Sequence, residues 1–242
     1  ETVVTIGNSL FKEKKNKNFK SWLEKSHLKC SLDLYANEYY FSNLKKIKDV
    51  PIVSEENLKS QNTTRPDIYW LIDPIDGTRS LVDGFKGWVT QAALIMNKKT
   101  TISVIYAPEF NQIFWAEKNN NAYLNENKLF ISKSDTDKIT LIDNYAKPKG
   151  ISEKIYYEYP CDKYKESGSI SLKICRIADN TANLFVKDVT VRDWDIAAPK
   201  LIIEEAGGSL RQLNGLVYNF DGTFEKKGII ASSNLLIQKK CF

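Results

Sequence analysis

Histidine and paired cysteines are scarce in this chain of 242 residues. The single histidine, His27, cannot build a histidine-rich zinc site, and a Ser-His-Asp triad would depend on it alone, so we expect His27 to be a surface or interface residue. The four cysteines lie far apart without a C-x-x-C motif: Cys30, Cys161, Cys175 and Cys241. We therefore expect reduced thiols and no disulfide framework, with Cys175 buried in an apolar helix. Catalysis is left to carboxylates, hydroxyls and bound metal, and oxygen ligands favour Mg²⁺ over zinc.

Long apolar runs, internal repeats and low-complexity tracts are also missing. No apolar run approaches the roughly 20 residues of a membrane-spanning helix, and residues 1–10 do not show the pattern of a signal peptide. Because residue 1 is Glu and not Met, a short segment ahead of it is compatible with the sequence. With 42% hydrophobic and 27% charged residues, we expect a globular cytoplasmic protein with one large domain or two small ones and no membrane partner.

The chain is weakly basic, with a formal net charge of +5, which favours anionic ligands. The densest basic run consists of Lys12, Lys14, Lys15, Lys17 and Lys20. A solvated helix face or loop explains such a run, and a nucleic-acid-binding arm is the alternative. The sequence shows no RNA-binding aromatic motif and no zinc-finger pattern, so we do not expect nucleic acid as a partner.

The first half of the chain becomes a series of short strands after its first helices. Apolar periodicity predicts helices over 1–24 (with Trp22 available for the buried face), 31–47 and 79–84, a loop or flap over 57–65, and strands over 51–56, 68–72, 88–96, 101–106, 112–117 and 122–124. Consecutive strands joined by tight turns predict an antiparallel sheet.

The second half alternates strands and helices, which is typical of an α/β arrangement. The pattern predicts strands over 140–143, 182–186 and 229–232, and helices over 151–159, 170–178 and 194–206, the last closed by Gly207-Gly208. We therefore expect an α+β and α/β fold with two domains. Residues 1–135 would form the α+β domain with the antiparallel sheet and most candidate metal ligands, and residues 136–242 the α/β domain that supplies Asp195 and substrate contacts.

The most informative stretch is residues 70–79, Trp-Leu-Ile-Asp-Pro-Ile-Asp-Gly-Thr-Arg. An apolar strand breaks there into a turn that carries Asp73 and Asp76 and is stiffened by Pro74. The backbone N–H groups of residues 77–79 then open a predicted helix, where an anion is stabilised. Carboxylates for a hard cation beside N–H donors for an oxyanion predict a metal-assisted phosphate site.

Further acidic residues lie at the ends of predicted elements. Glu55-Glu56 follow a short strand, Asp195 is the second residue of the helix over 194–206, and Asp33 lies near the start of the helix over 31–47. Each has an ordinary explanation, namely a surface pair for the glutamates and a helix-dipole or capping interaction for the two aspartates. Together, however, they mark element ends, where functional sites collect.

Three segments resemble the signatures of the inositol monophosphatase superfamily: Val53-Ser54-Glu55-Glu56, residues 70–78, and Trp194-Asp195-Ile196-Ala197-Ala198 with Glu205-Ala206-Gly207-Gly208. Their order and spacing agree with the family, and the resemblance runs from about residue 33 to residue 208. It implies a layered αβαβα fold of the inositol monophosphatase and fructose-bisphosphatase type. It also implies a Mg²⁺-dependent, often lithium-sensitive phosphatase with about two or three Mg²⁺ ions per site.

The resemblance implies a role for each matching residue. The implied metal ligands are Glu55, Asp73, Asp76, Asp195 and the carbonyl group of Ile75. Thr78, oriented by Asp33, would activate the attacking water, and Glu55 would share in catalysis. The N–H groups of Gly77 and Thr78 would hold the phosphate, and Gly168-Ser169 lie where the family approaches its substrate. The family's usual Thr-x-Ala-Asp is Cys30-Ser31-Leu32-Asp33 here, so the Asp is kept but the Thr and Ala are not.

Other segments resemble the bacterial 3'(2'),5'-bisphosphate nucleotidase branch more than the inositol enzymes: Asp76-Gly77-Thr78-Arg79-Ser80-Leu81, Ile105-Tyr106-Ala107-Pro108 and Ser171-Leu172-Lys173. Lys187 stands near the position where inositol enzymes carry a Glu, although Asp188 beside it is acidic. A second phosphate on the substrate requires cations, and the candidates are Arg79, Lys173, Lys187 and Arg192. Each of these also has an ordinary explanation as a surface charge.

The implied reaction is hydrolysis of the 3'-phosphate of adenosine 3',5'-bisphosphate to give AMP. One alternative is an inositol-1-monophosphatase or related sugar phosphatase. An alternative of a different class is a protein- or RNA-binding regulatory member of the family with secondary phosphatase activity. Since dimers are common in the family, a homodimer is compatible with the resemblance.

Overall fold

A computed structural model provides the fold. The structure describes residues 1–24, 27–62, 64–132 and 138–241, except for the side chains of His27, Lys240 and Cys241. The expected surface position of His27 and the free thiol of Cys241 therefore lie outside the described residues. Cys175 is buried as expected and is a free thiol, as is Cys30. Within the described ranges, the chain contains no helix with the length and apolar character needed to cross a membrane.

Eight α-helices lie within these ranges: α1 Thr2–Lys15, α2 Ser31–Ile47, α3 Leu58–Gln61, α4 Thr78–Asp83, α5 Ile151–Glu158, α6 Ile170–Ala178, α7 Asp193–Glu205 and α8 Leu235–Cys241, with a 3₁₀-helix at Pro108–Phe110. A separate hairpin pairs β1 (Ser21–Glu24) with β2 (His27–Cys30). The predicted helices over 31–47 and 170–178 match α2 and α6 at both ends.

The first sheet has seven strands in the order β3-β4-β5-β6-β7-β8-β9: β3 Ile52–Ser54, β4 Ile68–Asp76, β5 Val89–Met96, β6 Lys99–Ala107, β7 Gln112–Glu117, β8 Ala122–Leu124 and β9 Asn127–Lys128. From β4 onward every pairing is antiparallel, which confirms the prediction from the series of short strands. The β3–β4 pairing is parallel, so the residues that follow these two strands emerge at the same edge of the sheet.

The second sheet has five strands in the order β11-β10-β12-β14-β13: β10 Ile139–Asp143, β11 Cys161–Glu166, β12 Leu184–Arg192, β13 Ser209–Gln212 and β14 Glu225–Ser232. Strand β10 is parallel to both β11 and β12, whereas β14 is antiparallel to β12 and β13. The pairing is therefore mixed, in keeping with the alternation of strands and helices along this half of the chain.

Three groups of buried side chains define the layers of the fold. Tyr69 and Leu71 of β4 pack with α6, α7 and one face of the second sheet. Trp70 and Ile72 point to the opposite face of β4 and pack with α1 and α2. Helices α5 and α8 contribute Ile155 and Ile237 to a third group on the outer face of the second sheet. The layers run helix, sheet, helix, sheet, helix, which confirms the predicted αβαβα architecture.

The predicted division of the chain at residues 135 and 136 falls within 133–137, outside the described residues. The strands of the first sheet end at Lys128 and those of the second begin at Ile139. The largest group of buried side chains contains residues from both sheets, with α6 and α7 between them. The two-domain division stays a prediction.

The structure corrects several predicted elements. The helix predicted over 1–24 ends at Lys15, where the polar Lys-Asn run removes its apolar face, and Trp22 lies on β1 with 40% of its surface exposed. The predicted loop over 57–65 contains the short helix α3, which the side chain of Asn57 caps by accepting a hydrogen bond from the N–H of Ser60. The pattern also missed strands β1, β2, β11 and β13 and helix α8, and it ended β12 too early, at Val186.

Helix α7 provides a test of the layered core, because it lies between the two sheets. Ile202 on α7 is fully buried, so Ile202→Ala should lower the free energy of unfolding by about 2–5 kcal/mol through the lost burial and the cavity it leaves. Leu216 is 61% exposed, so Leu216→Ala should change the free energy of unfolding by less than about 0.5 kcal/mol. Urea denaturation followed by circular dichroism measures both, and equal losses would contradict the assignment of α7 to the central layer.

Candidate active site

The site begins where β4 ends and α4 begins. Strand β4 is bulged between Asp73 and Asp76, because its pairing register with β5 shifts there. In a regular strand, residues three apart point to opposite faces, whereas a bulge re-aims the side chain that follows it. Gly77 then turns the chain into α4 with a backbone φ of +93°, a left-handed conformation that favours glycine. The sequence Asp-Pro-Ile-Asp-Gly-Thr therefore places both carboxylates on one side of this turn.

Asp195 joins them from the first turn of α7. One ligand oxygen from each of Asp73, Asp76 and Asp195 lies within 4.8 Å of the others, and we call these three residues the acidic triad. Each carboxylate accepts a hydrogen bond from one backbone N–H. The donors are Ile75 to Asp73 (3.0 Å), Ser171 to Asp76 (2.7 Å) and Arg192 to Asp195 (3.1 Å). Strand β4, helix α6 and helix α7 therefore all hold the triad in place.

Burial raises the pKa of every carboxyl in the triad. Desolvation is the largest cause for Asp73 and Asp195, and the neighbouring carboxylates add to it. Burial also raises the pKa of Asp76, although hydrogen bonds from Ser171 oppose this shift. Two buried carboxylates and the half-buried carboxylate of Asp195 suit a hard divalent cation, which would compensate their charge. The donor set therefore fits a metal of the magnesium type.

Glu55 lies at the edge of the triad and not within it. It follows β3, and its side chain is 29% exposed. Burial in the surrounding protein raises the pKa of Glu55 to about 7, while Lys29 opposes this shift. The ammonium group of Lys29 lies 4.0 Å from Glu55 Oε1 and is paired with Glu56. The two glutamates and Lys29 thus form an ion-pair cluster beside the triad, and the sequence carried no signal for Lys29.

Thr78 and Asp33 are in contact, as the family resemblance implied. Thr78 Oγ1 lies 3.2 Å from Asp33 Oδ1 and 3.2 Å from the carbonyl oxygen of Ile75, and its single proton serves one acceptor at a time. Asp33 Oδ2 also accepts a hydrogen bond from the N–H of Cys30 at 2.6 Å, which caps α2. Burial raises the pKa of Asp33 to about 6. The capping explanation and the contact with Thr78 therefore hold for the same carboxylate.

A cavity of about 380 Å³ opens beside the triad at Asp76 and Gly77. Its wall includes all five residues that the sequence predicted as substrate contacts: Arg79, Gly168, Ser169, Lys173 and Lys187. Gly168 packs directly against Gly87, since a Cβ atom at residue 168 would lie 2.5 Å from the Gly87 carbonyl oxygen. This close approach joins the loop before β5 to the start of α6. The cavity thus lies between the two sheets, with the triad at one end.

Two lysines supply positive charge to this cavity. Lys173 is fully buried, donates a hydrogen bond to the carbonyl oxygen of Gly168 at 2.6 Å, and has its pKa lowered to about 7 by burial and then by Lys187. Lys187 donates to Asn144 at 2.7 Å and to Asp143 at 3.3 Å. Both ammonium groups are held by neighbours, so they line the cavity in defined positions.

Arg192 lies elsewhere than the other predicted cations. It lines a second cavity, of about 460 Å³, together with Glu55, Lys29 and Trp22. Its guanidinium group is 3.3 Å from Glu225. The structure therefore brings Arg79, Lys173 and Lys187 together in one cavity and places Arg192 in another.

Several residues that line the first cavity were not predicted from the sequence, among them Asn144 and Glu166. Asn144 follows strand β10 directly, so its position at a strand end was an available signal. Glu166 ends β11, an exposed edge strand with little apolar pattern. Such a strand gives weak periodicity, and its polar end was therefore not recognised.

Comparison with known proteins assigns the family. The model of the inositol monophosphatase family matches residues 3–241. The chain belongs to this family. Enzymes of the family are metal-dependent phosphoric monoester hydrolases, and membership places the chain in that class.

Curated relatives of the chain carry three different names. It is 29% identical over 180 residues to the Nus factor SuhB of Pasteurella multocida, covering 71% of this chain and 66% of the relative. It is 30% identical over 194 residues to the 3'(2'),5'-bisphosphate nucleotidase CysQ of Buchnera aphidicola, covering 78% and 72%. It is 30% identical over 183 residues to the inositol monophosphatase of Mesembryanthemum crystallinum, covering 70% and 64%. Similarity of this degree leaves the substrate open.

Solved structures share the fold. The Thermotoga maritima IMPase superposes with a TM-score of 0.84 at 22% identity, covering 99% of this chain and 93% of that one. Inositol monophosphatase II of Staphylococcus aureus with bound inositol monophosphate gives a TM-score of 0.81 at 16% identity, covering 99% and 89%. The 2'AMP-bound form of that enzyme gives 0.78 at 18% identity, covering 96% and 86%. These likenesses confirm the layered fold.

The raised carboxyl pKa values predict how the stability of the metal-free protein depends on pH. The folded protein holds protons on Asp33, with a pKa of about 6, and on Glu55, with a pKa of about 7, more tightly than the unfolded chain does. Stability should therefore fall as the pH rises from about 5 to about 7. The buried Lys173, with a pKa lowered to about 7, acts in the opposite direction only above that range. Melting temperatures in EDTA measure the slope.

Asp195→Asn is the matched variant, because Asn keeps a capping oxygen while it removes one negative charge from the triad. Its melting temperature in EDTA should fall less steeply with pH than that of the wild type. A wild-type melting temperature that is constant or rises between about pH 5 and 7 would contradict the electrostatic interpretation.

Proposed function

We propose that the chain hydrolyses a phosphate monoester at the acidic triad with about two or three Mg²⁺ ions. The observation that carries this proposal is the convergence of three carboxylates, two buried and one half-buried, within 4.8 Å beside the turn into α4. The proposed ligands are the triad, Glu55 and the carbonyl oxygen of Ile75. Bound Mg²⁺ would neutralise charge on the phosphoryl group and lower the pKa of a water molecule.

The protein groups have separate tasks in this proposal. Thr78 would orient the attacking water through its hydroxyl and pass a proton toward Asp33, whose raised pKa of about 6 suits a general base near neutral pH. The N–H groups of Gly77 and Thr78 would hold the phosphoryl oxygens at the start of α4. Glu55 would share in catalysis from the edge of the triad, as a carboxylate ligand of the bound metal.

We propose a 3'(2'),5'-bisphosphate nucleotide as the substrate, with adenosine 3',5'-bisphosphate hydrolysed to AMP. Support comes from the first cavity, in which Arg79, Lys173 and Lys187 offer positive charge to a second phosphate. A relative that is 30% identical is named as such a nucleotidase. Cationic side chains fixed by their neighbours favour a substrate with a second anionic group over one with a neutral hydroxyl at that position.

Inositol-1-phosphate or another sugar phosphate is the second candidate substrate. Asp143, Asn144 and Glu166 lie near or in the wall of the same cavity and offer oxygen acceptors to sugar hydroxyl groups. A relative of equal identity is named an inositol monophosphatase. The balance between cations and acceptors in this cavity therefore decides between the two substrate classes.

A regulatory role is the candidate of a different class, because a relative is named a Nus factor. The lysine run offers little support for it, since Lys14 is engaged with Glu109. A pull-down with RNA at physiological salt, set beside Mg²⁺-dependent turnover, separates this role from the phosphatase.

Lithium sensitivity, a homodimer and a cytoplasmic location stay proposals that rest on the family resemblance.

Asp76→Asn tests the chemistry. Removing this negative ligand should lower Mg²⁺-dependent turnover by about a hundredfold or more, since the metal contributes several kcal/mol to the transition state. Phosphate release with malachite green measures turnover, and circular dichroism checks that the fold is kept. Asp67→Asn, at the exposed position directly before β4, is the control and should keep wild-type turnover. Near-normal turnover of Asp76→Asn would refute the assignment.

Lys187→Gln tests the substrate. It should raise the KM for adenosine 3',5'-bisphosphate about tenfold and leave the KM for inositol-1-phosphate unchanged, because only the nucleotide carries a second phosphate. Lys99→Gln, at the exposed first residue of β6, is the matched surface control. The panel also includes fructose-1,6-bisphosphate. A wild-type preference for inositol-1-phosphate of about tenfold or more would overturn the choice of substrate.

A further inference from the structure

Arg65 lies in the segment between α3 and β4 and binds a distant loop. Its Nε donates to the carbonyl oxygen of Gly222 at 2.9 Å, and Nη2 donates to that of Thr223 at 2.7 Å. The guanidinium group stacks on Phe224 at 3.8 Å from the ring centre. With only 12% of its side chain exposed, Arg65 joins residues that are more than 150 positions apart in the chain.

The same guanidinium group reaches the start of α7 and the side of β4. Nη2 forms an ion pair with Asp193, a fully buried carboxylate that also accepts a hydrogen bond from Tyr218 at 2.7 Å. Nη1 donates to the hydroxyl of Tyr69 at 3.0 Å. Asp193 is the first residue of α7, two residues before Asp195. Tyr69 lies on β4, four residues before Asp73.

One side chain therefore contacts both elements that carry the acidic triad. Arg65 also belongs to the segment that leads from Glu55 to β4. The triad carboxylates repel one another, so elements that carry them tend to separate unless other contacts hold them together. The contacts of Arg65 with Tyr69 and Asp193 oppose this separation outside the triad, without touching its oxygens.

We propose that Arg65 is a positioning residue for the metal site and acts through Asp193 and Tyr69 to hold Asp195 against Asp73 and Asp76. This inference rests on the proposed function, since it concerns the same site. Four of the five guanidinium N–H donors have acceptors in fixed directions. A lysine has three rotatable donors and no planar fork, so it cannot reproduce this arrangement.

Arg65→Lys should raise the apparent dissociation constant of Mg²⁺ about tenfold, the loss that is typical when a partner behind a metal ligand is changed. Isothermal titration calorimetry of the full chain with Mg²⁺ alone measures this constant. The rise in melting temperature with Mg²⁺ is a second readout. Neither measurement depends on turnover.

Arg176→Lys is the matched control. Arg176 is similarly buried, with 14% of its side chain exposed, and is paired with Asp179 at 2.8 Å and with Gln112 at 2.7 Å, so its ion pair and hydrogen bonds are not made with the elements that carry Asp73 and Asp195. Both substitutions should lower the melting temperature without metal. Only Arg65→Lys should change Mg²⁺ binding. If both variants and the wild type had the same dissociation constant for Mg²⁺, the proposal would be overturned.

Asp193→Asn provides a second route if Arg65→Lys fails to fold. It should raise the dissociation constant of Mg²⁺ on its own. If both single variants fold, the double variant should bind Mg²⁺ more tightly than the sum of the two single effects predicts, because both act through one contact. Full additivity would overturn the coupling. The outcomes also separate the two proposals, since a wild type that binds no Mg²⁺ refutes the proposed function, whereas normal binding by Arg65→Lys refutes only the positioning role.

Discussion

The rest of the structure depends on the repulsion among Asp73, Asp76 and Asp195. Burial raises their pKa values because the charged forms lose solvation, and neighbouring carboxylates add to the shift at Asp73 and Asp195. Without a cation this arrangement opposes folding, yet with one it becomes a strong oxygen-ligand site. The surrounding fold must therefore hold three like charges together, and its middle layer of helices does so.

The layered architecture explains why the site lies where it does. Parallel pairing of β3 and β4 brings Glu55 to the same sheet edge as Asp73, and the central position of α7 brings Asp195 from the other half of the chain. The cavity lies between the two sheets for the same reason. Its walls come from both halves, so Lys173 and Lys187 can meet a ligand that also contacts Gly77.

Capping and function share the same carboxylates in this protein. Asp33 caps α2 with one carboxylate oxygen and contacts Thr78 with the other. Asp195 caps α7, and its carboxylate also lies close to those of Asp73 and Asp76. The two explanations that the sequence offered for each residue are therefore compatible. A capping hydrogen bond orients the carboxylate, which makes a helix start a suitable place for a site residue.

The sequence by itself determined several of the local elements and where the acidic residues of the site cluster along the chain. The periodicity of apolar residues and the turn residues predicted α2, α6 and the antiparallel strands. The spacing of Asp73 and Asp76 before Gly77 predicted a metal and phosphate site. Only the tertiary structure decided that Glu55 pairs with Lys29 at the edge of the triad and that Arg192 lies in another cavity. The reason is physical: periodicity reports which face of an element is buried, whereas distances between elements follow from how helices and sheets pack against one another.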